Sequence, residues 1–239
     1  MYSIEVENLT KKFGHFTAVN NITFQVKKGE IFGFLGANGA GKTTAMKMMC
    51  GLLLPTSGKA KIAGFDLNAE SKLIKQQIGY MSQRFSLYDD LTILENMKLF
   101  GVIYNIPRRI LNDRIEEQLT ELKMFEIKDL LVNEIPLGWK QRLAFATAML
   151  HHPQIVFLDE PTSGVDPIVR REFWSLIYKA ASQGITIFVT THYMDEASYC
   201  ERISIMAEGS VQLLGTPTEL KQQMGVATID DLFVKFVKR

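Results

Sequence analysis

The chain has 239 residues, of which 46% are hydrophobic, and its 27 Lys and Arg residues against 26 Asp and Glu residues leave a formal net charge of +1. This length suffices for one large domain or two small ones, while the near-neutral charge argues against a protein that gathers polyanions such as duplex DNA. Because the chain lacks both the ~18-residue apolar run of a membrane-spanning helix and a signal peptide at its start, we expect it to stay in the cytoplasm.

The N-terminal segment alternates polar and apolar residues. Ile4 and Val6, and later Ile22, Phe24 and Val26, follow the period of two that is typical of strands with one face in water. We therefore expect the protein to open with an antiparallel β patch.

Four later apolar runs are too short for helices and are typical of strands buried on both faces. Such strands predict a mostly parallel core sheet. The runs are Ile31–Leu35, Ile78–Met81, Ile155–Leu158 and Ile185–Thr190.

A long segment with helical periodicity, from about Leu91 to Leu150, separates the second of these runs from the third. Thr92 and Glu95 have the spacing of a capping box that opens a helix, and Pro107 is expected to end it. We interpret residues of about 84–150 as a helical subdomain inserted into the core.

The C-terminal part predicts a hairpin and an amphipathic helix. Apolar runs at 203–206 and 211–213 flank Glu208 and Gly209, a tight-turn pair. The last apolar stripe is expected to pack on the core. It consists of Ile229, Leu232, Phe233, Phe236 and Val237.

Cys50 and Cys200 lack metal-binding spacing and are expected to be buried fillers, as are Met46, Met48 and Met49.

The most specific motif is a P-loop directly between a predicted buried strand and a helix. Its glycines let successive N–H groups converge on phosphate oxygens, the lysine supplies a positive charge, and the first threonine can ligate Mg²⁺. The residues are Gly36, Ala37, Asn38, Gly39, Ala40, Gly41, Lys42, Thr43 and Thr44. A glycine-rich turn without function is the alternative, and the flanking strand and helix favour nucleotide binding.

Two further strand ends supply candidate catalytic groups. Asp159 and Glu160 end a buried strand, where Asp159 is placed to hold Mg²⁺ and Glu160 to orient or deprotonate an attacking water. His192 follows another buried strand, at the sheet edge where ligands of open α/β sheets gather, and is a candidate γ-phosphate contact. We therefore predict Lys42, Glu160 and His192 as catalytic residues.

Together these elements resemble the nucleotide-binding domain of ABC transporters over nearly the whole chain. The resemblance implies one ATP-binding domain over residues 1–239, with an α/β P-loop NTPase core, a mostly parallel sheet, an antiparallel patch and a helical insertion. It also implies that Phe13 stacks on adenine, that Gln83 touches Mg²⁺ and senses the membrane subunit, and that Asp166 lies at a dimer seam.

Residues 51–58, with the sequence GLLLPTSG, are similar to the exporter and drug-efflux branch of that family. The resemblance implies ATP and Mg²⁺ as cofactors, separate transmembrane permease subunits, and a peripheral location on the cytoplasmic face of the membrane. A second ABC ATP-binding domain is implied too, as a homodimer, a heterodimer or a tandem half. A groove beside Gln83, bordered by Arg84–Tyr88, is expected to receive a helix of the membrane subunit, and no nucleic acid is expected.

One motif departs from the family. Where the family has L-S-G-G-Q, this chain has Ile135-Pro136-Leu137-Gly138-Trp139, so Pro136 replaces the serine. Losing one hydrogen bond to a charged phosphate costs about 1.5–3 kcal/mol, whereas Gly138 and the helix N-terminus remain to face the phosphate. We expect a weakened contact with the nucleotide of the partner domain.

The sequence leaves two other functions open. A soluble ABC-type ATPase acting on ribosomes or DNA is disfavoured by the near-zero net charge. A non-catalytic, ATP-binding regulatory half is suggested by Pro136, but Glu160 and His192 speak against it.

Overall fold

The computed structural model describes residues 1–83 and 86–237. It contains strands in two sheets, helices, and three short 3-10 turns at Phe125–Ile127, Val132–Glu134 and Met194–Tyr199. The strands are β1 (Tyr2–Phe13), β2 (Phe16–Lys27), β3 (Ile31–Gly36), β4 (Ser57–Ile62), β5 (Phe65–Asp66), β6 (Ile78–Met81), β7 (Ile155–Asp159), β8 (Thr186–Thr191), β9 (Arg202–Ala207) and β10 (Ser210–Gly215). The helices are α1 (Lys42–Met49), α2 (Ser71–Gln77), α3 (Ile93–Ile103), α4 (Arg108–Glu121), α5 (Leu137–Met149), α6 (Pro167–Ser182), α7 (Pro217–Met224) and α8 (Ile229–Val237).

The central sheet has six strands in the order β10-β9-β3-β8-β7-β6. In this sheet the pairs β9–β3, β3–β8, β8–β7 and β7–β6 are parallel, and the edge strand β10 pairs antiparallel with β9. Strands β3, β7 and β8 are buried along their whole length, as expected for strands covered on both faces. The predicted parallel core is confirmed, and the carboxyl ends of β3, β6, β7 and β8 lie at one edge.

The N-terminal sheet has the order β2-β1-β4-β5 and is antiparallel, which confirms the predicted patch. Its inner face packs on the central sheet through aromatic rings. Phe24 of β2 lies 5.6 Å from both Phe32 and Phe34 of β3, measured between ring centroids, and 6.1 Å from Phe188 of β8. Aromatic packing of this kind adds to the burial of large apolar surfaces, so these rings join the two sheets.

Helices α3, α4 and α5 lie between β6 and β7 in the chain, where a helical insertion was predicted. Thr92 and Glu95 form the predicted capping box at the start of α3. The expectation that Pro107 ends this helix is wrong, because α3 ends at Ile103 and Asn105 adopts a left-handed conformation with φ 56°. Pro107 instead precedes the first residue of α4, a place where its fixed φ is compatible with helix initiation.

A buried amide orders the start of the insertion, and a ring stack joins the insertion to the residue that follows it. The wholly buried Asn96 of α3 accepts a hydrogen bond from Tyr88 N (2.8 Å) and donates to the carbonyls of Tyr88, Leu91 and Thr92. These bonds hold the turn that leads from β6 into α3. Farther along, the ring of Tyr104 stacks on that of His151, with centroids 4.0 Å apart.

The C-terminal elements include the β9–β10 hairpin and helix α8. Glu208 and Gly209 join β9 to β10 with φ values of 48° and 77°, the left-handed pair that a tight hairpin turn requires. In α8, Ile229 and Leu232 are buried and Phe233 packs partly on the core, as predicted. The side chains of Phe236 and Val237 lie outside the described residues.

The predicted buried fillers are confirmed, because both cysteines and the three methionines are buried. Within 1–83 and 86–237, the helices are all too short or too polar to cross a lipid bilayer.

The environment of His151 predicts a pH-dependent stability. Burial lowers the pKa of His151 to about 4, although its Nε2 lies 3.0 Å from Ile78 O, and the nearby charges of His152 and Arg114 act in the same direction as burial. The unfolded chain takes up this proton below pH ~6.5, whereas the folded chain does not until pH ~4. The free energy of unfolding should therefore fall by up to about 3 kcal/mol as the pH drops through this window.

Urea denaturation of wild type and His151→Phe between pH 4 and 7 measures this contribution. The variant keeps a ring against Tyr104 and should lose the part of the pH dependence that His151 contributes, whereas the neighbouring His152, whose pKa burial also lowers, keeps its own. His15→Phe, at an exposed position, is the control and should follow wild type. Parallel pH profiles for wild type and His151→Phe would contradict the assignment.

Candidate nucleotide-binding site

The predicted P-loop connects the carboxyl end of β3 to the first residue of α1. Gly41 has φ 101°, and a Cβ atom there would lie 2.3 Å from Ala18 O, so only glycine fits. The loop thus turns sharply at the N-terminus of α1, where free backbone N–H groups and the helix dipole favour an anion.

Lys42 is held in the loop by two carbonyls and a carboxylate of the chain itself. Its ammonium donates to Gly36 O (2.8 Å) and Ala37 O (3.1 Å) and lies 3.4 Å from Glu160 Oε1. Burial lowers the pKa of Lys42, and the neighbouring Glu160 carboxylate opposes that shift. The lysine is therefore a preplaced positive group at the floor of the loop.

Asp159 is a buried carboxylate held by two hydroxyls. Its Oδ1 accepts hydrogen bonds from Thr190 Oγ1 (2.6 Å) and Thr43 Oγ1 (3.1 Å). Burial raises the pKa of Asp159, and the two hydroxyls oppose that shift. The adjacent oxygens of Thr43 and Asp159 form the hard donor set that Mg²⁺ prefers, so these residues fit the predicted metal.

Glu160 stands at the centre of the cluster. Its backbone has φ 50°, and its N–H donates to Thr190 O (3.1 Å). The two carboxylate oxygens have separate neighbours: Oε1 faces Lys42, while Oε2 accepts from Gln83 Nε2 (2.8 Å) and lies 3.0 Å from His192 Nδ1. The structure therefore brings Lys42, Gln83 and His192 to the carboxylate of Glu160. These four residues come from four different parts of the chain.

These groups border an open pocket of about 400 Å³. Its volume is within the range of small-molecule sites. The pocket is lined by Phe16, Ala18, Asn38, Gly39, Gly41, Lys42, Thr43, Thr44, Gln83 and Glu160. Gly36 and Ala37 contribute through their carbonyls to Lys42, and Ala40 is turned away, with its carbonyl accepting from Gly209 N (3.1 Å).

Phe13 and Gly138, two of the predicted ligand residues outside this lining, lie away from the P-loop. Phe13 is 50% exposed, with Lys11 Nζ 5.0 Å from its ring centroid, while Phe16, its cross-strand neighbour, lines the pocket. Gly138 lies in α5, where a Cβ atom would come within 2.6 Å of Val169.

The segment that departs from the family motif L-S-G-G-Q, residues 135–139, lies at the start of α5. Pro136 is the N-cap residue and makes no side-chain capping bond. Gln141 Nε2 donates to Ser163 O (3.3 Å), which ties α5 to the loop after Glu160. At the end of that loop, Asp166 caps α6 by accepting from the N–H groups of Ile168 and Val169.

The groove expected beside Gln83 is only partly described, because Arg84 and Phe85 lie outside the described residues. On its far border Leu87 is buried, whereas Tyr88 is 50% exposed.

Sequence reasoning missed two contributors to the site. Thr190 received no role, although a hydroxyl at the carboxyl end of a buried strand beside Asp159 is a usable signal. Phe16 and Phe13 lie on either side of the β1–β2 turn, and the pattern of residues does not distinguish which ring faces the P-loop.

The fold and the site define a P-loop nucleotide-binding protein with a helical insertion. The sequence model of the ABC transporter family matches residues 19–163. YbhF of Escherichia coli (strain K12), a probable multidrug ABC transporter ATP-binding protein, is 50% identical over 220 residues, which cover 92% of this chain and 38% of YbhF. LnrL of Bacillus subtilis (strain 168), a linearmycin resistance ATP-binding protein, is 35% identical, with 97% of this chain and 75% of LnrL covered.

Solved structures agree with this similarity. An ATP-binding subunit of an ABC transporter superposes with a TM-score of 0.87 at 27% identity, covering 98% of both chains. The ATP-binding cassette MJ0796, in a dimer bound to ADP and Pi, superposes with a TM-score of 0.80 at 28% identity, covering 89% of this chain and 98% of that one. The chain belongs to the ABC transporter family, and it spans about two fifths of the length of YbhF.

The hydroxyl of Thr190 should stabilise the folded protein through Asp159. Thr190→Val removes a donor from a buried carboxylate, which typically costs about 1.5–3 kcal/mol, so urea denaturation should show a loss of that size. Thr190→Ser keeps the hydroxyl, loses one methyl group, and should cost only about 1 kcal/mol. A larger loss in the serine variant than in the valine variant would contradict this role.

Proposed function

We propose that this chain binds and hydrolyses ATP as the nucleotide-binding subunit of an exporter of the multidrug-efflux type. The observation that carries the proposal is the convergence of Lys42, Gln83 and His192 on the Glu160 carboxylate at the mouth of the P-loop. Membership of the ABC transporter family and the similarity to YbhF support the transport role. We also propose that residues 1–239 act as one domain in which residues of about 84–150 form a helical subdomain.

Binding of the triphosphate changes the partners of Lys42. Phosphate oxygens in the P-loop accept hydrogen bonds from the backbone N–H groups around Gly39 and Gly41, and the Lys42 ammonium turns from Glu160 to the phosphates. Glu160 Oε1 is thereby freed from its ion pair and becomes available as a proton acceptor. Thr43, Asp159 and Gln83 would hold Mg²⁺, which supplies charge neutralisation to the phosphates.

Hydrolysis then needs a positioned water and a base. Glu160 accepts a proton from that water as its oxygen bonds to the γ-phosphorus, the bond from the γ-phosphorus to the bridging oxygen breaks, and ADP and inorganic phosphate result. His192 borders the same carboxylate and is placed to donate a hydrogen bond to the γ-phosphate.

Phe13 or Phe16 would cover the adenine. Of the two, Phe16 lines the pocket and is the better placed.

The remaining parts of the proposal rest on family likeness. Two such domains, in a homodimer, a heterodimer or a tandem protein, would close on ATP and pass the motion to separate transmembrane permease subunits. The chain would then be peripheral on the cytoplasmic face of the membrane. The net charge of +1 disfavours the alternative of an ATPase acting on ribosomes or DNA, and no nucleic-acid partner is proposed.

Pro136 favours a second candidate, a regulatory half that binds ATP without hydrolysing it. The partner's nucleotide would meet a helix N-terminus without the serine hydroxyl. Against it, the chain keeps a carboxylate at Glu160 and an imidazole at His192, which only hydrolysis requires. We therefore place this candidate second.

Substitution of Glu160 separates the two candidates. Glu160→Gln should lower phosphate release from ATP by at least about a hundredfold, because a general base contributes 10²–10⁴-fold, while ATP binding measured by fluorescence titration should persist. Glu121→Gln, which removes a surface carboxylate paired with Lys179, should behave as wild type. Equal phosphate release by Glu160→Gln and wild type would refute the proposed role.

Restoring the serine tests how far Pro136 limits turnover. Pro136→Ser should raise phosphate release per dimer by about tenfold or more, since a hydrogen bond to a charged phosphate corresponds to about 1.5–3 kcal/mol. It should also stabilise α5 by about 1 kcal/mol as a helix cap.

Pro136→Ala is the matched control, because it removes the ring without adding a hydroxyl and should leave the rate low. An unchanged rate in Pro136→Ser would show that this position does not limit catalysis.

A further inference from the structure

A second buried carboxylate lies outside the nucleotide pocket. Glu196, in the 3-10 turn Met194–Tyr199, is 0% exposed. Its Oε1 accepts hydrogen bonds from Thr162 Oγ1 and from Trp174 Nε1, the latter at 3.3 Å. A buried charge without partners is strongly unfavourable, so this carboxylate requires the groups that surround it.

The positive partner is Arg170 of α6. Its Nε lies 3.6 Å from Glu196 Oε1, and its Nη1 lies 3.1 Å from Asp195 Oδ2. The guanidinium also stacks on the ring of Tyr193, 4.1 Å from the ring centroid. Arg170 therefore contacts three residues of the segment that follows His192.

Both partners of Glu196 belong to the segment that follows Glu160, whereas Glu196 itself belongs to the segment that follows His192. Thr162 follows Glu160 by two residues in the loop after β7. Arg170 stacks on the ring of Tyr193. Tyr193 is the neighbour of His192, and the ring centroids of these two residues lie 4.1 Å apart. Glu196 thus ties the segment that carries His192, to which it belongs, to the loop and helix that follow Glu160.

We propose that Glu196 is a positioning residue that fixes Glu160 and His192 relative to each other, through Thr162 and Arg170. The proposal rests on ATP hydrolysis at the pocket described above. A carboxylate and an imidazole that act on the same water and phosphate must keep their relative placement, because a displacement of about 1 Å is enough to lower the rate severely. Glu196 and Thr162 do not line the nucleotide pocket, so their effect falls on the chemical step and leaves ATP binding intact.

The matched control is a buried acid at the other end of the same sheet. Glu30 is 3% exposed, pairs with Arg202 (Nη1 to Oε1 3.1 Å) and accepts from Lys27 N (2.6 Å). It precedes β3, whereas Glu196 follows the parallel strand β8, so the two acids lie at opposite edges. Glu30→Gln therefore reports what loss of a buried carboxylate does to the fold alone.

The experiment compares steady-state ATP hydrolysis and thermal unfolding for wild type, Glu196→Gln, Thr162→Val, Thr162→Ser and Glu30→Gln. We expect Glu196→Gln and Thr162→Val to lower kcat at least tenfold, with KM for ATP within twofold of wild type. Thr162→Ser keeps the hydroxyl and should retain kcat within twofold. Glu30→Gln should lower Tm as much as Glu196→Gln while kcat stays within twofold.

The outcomes separate the inference from the function on which it rests. Wild-type kcat in a folded Thr162→Val protein would overturn the positioning role while leaving ATP hydrolysis in place, even if Glu196→Gln does not fold. An equal fall of kcat in Glu30→Gln and Glu196→Gln would also overturn it, because the effect would then be one of stability. Absence of hydrolysis in wild type would refute the proposed function and this inference together.

Discussion

The structure depends on holding two adjacent carboxylates, Asp159 and Glu160, at the end of one buried strand. Each is more than nine-tenths buried, and neighbouring charges of one sign repel strongly in such surroundings. The fold separates them by giving each its own donors: hydroxyls of Thr43 and Thr190 for Asp159, and Lys42, Gln83 and His192 around Glu160. The parallel sheet makes this possible, because the carboxyl ends of four strands deliver all these groups to one edge.

This arrangement assembles the site from groups of the chain itself. The buried Lys42 is paired with two carbonyls and a carboxylate. An anion entering the loop would exchange one partner of Lys42 for another, so the buried ammonium would stay paired. The rigid connection between the sheets through Phe24 and the rings of β3 and β8 keeps the antiparallel patch, and with it Phe16, at the mouth of the loop.

The sequence predicts the fold where local patterns and strand burial agree. The four buried strands, the antiparallel patch, the P-loop and the Thr92 capping box all follow from spacing over a few residues. Predictions are less accurate where segments far apart in the sequence determine where a helix ends or which side chains meet. Pro107 is local evidence for a helix end, yet the left-handed Asn105 ends α3 first. The partners of Glu196 come from α6 and from the loop after β7, a grouping that periodicity does not indicate.

The left-handed backbone of Glu160 has a consequence for how this chain can change over time. Such a conformation is unfavourable for a side chain like glutamate by about 1–3 kcal/mol, and glycine or asparagine would adopt it more readily. The chain thus keeps at this position a residue that its own backbone disfavours. In a descendant released from the need for a carboxylate, glycine or asparagine would remove this backbone cost but would leave the buried Lys42 without its carboxylate partner. The residue at position 160 is therefore a simple marker of whether such a descendant still needs its acid.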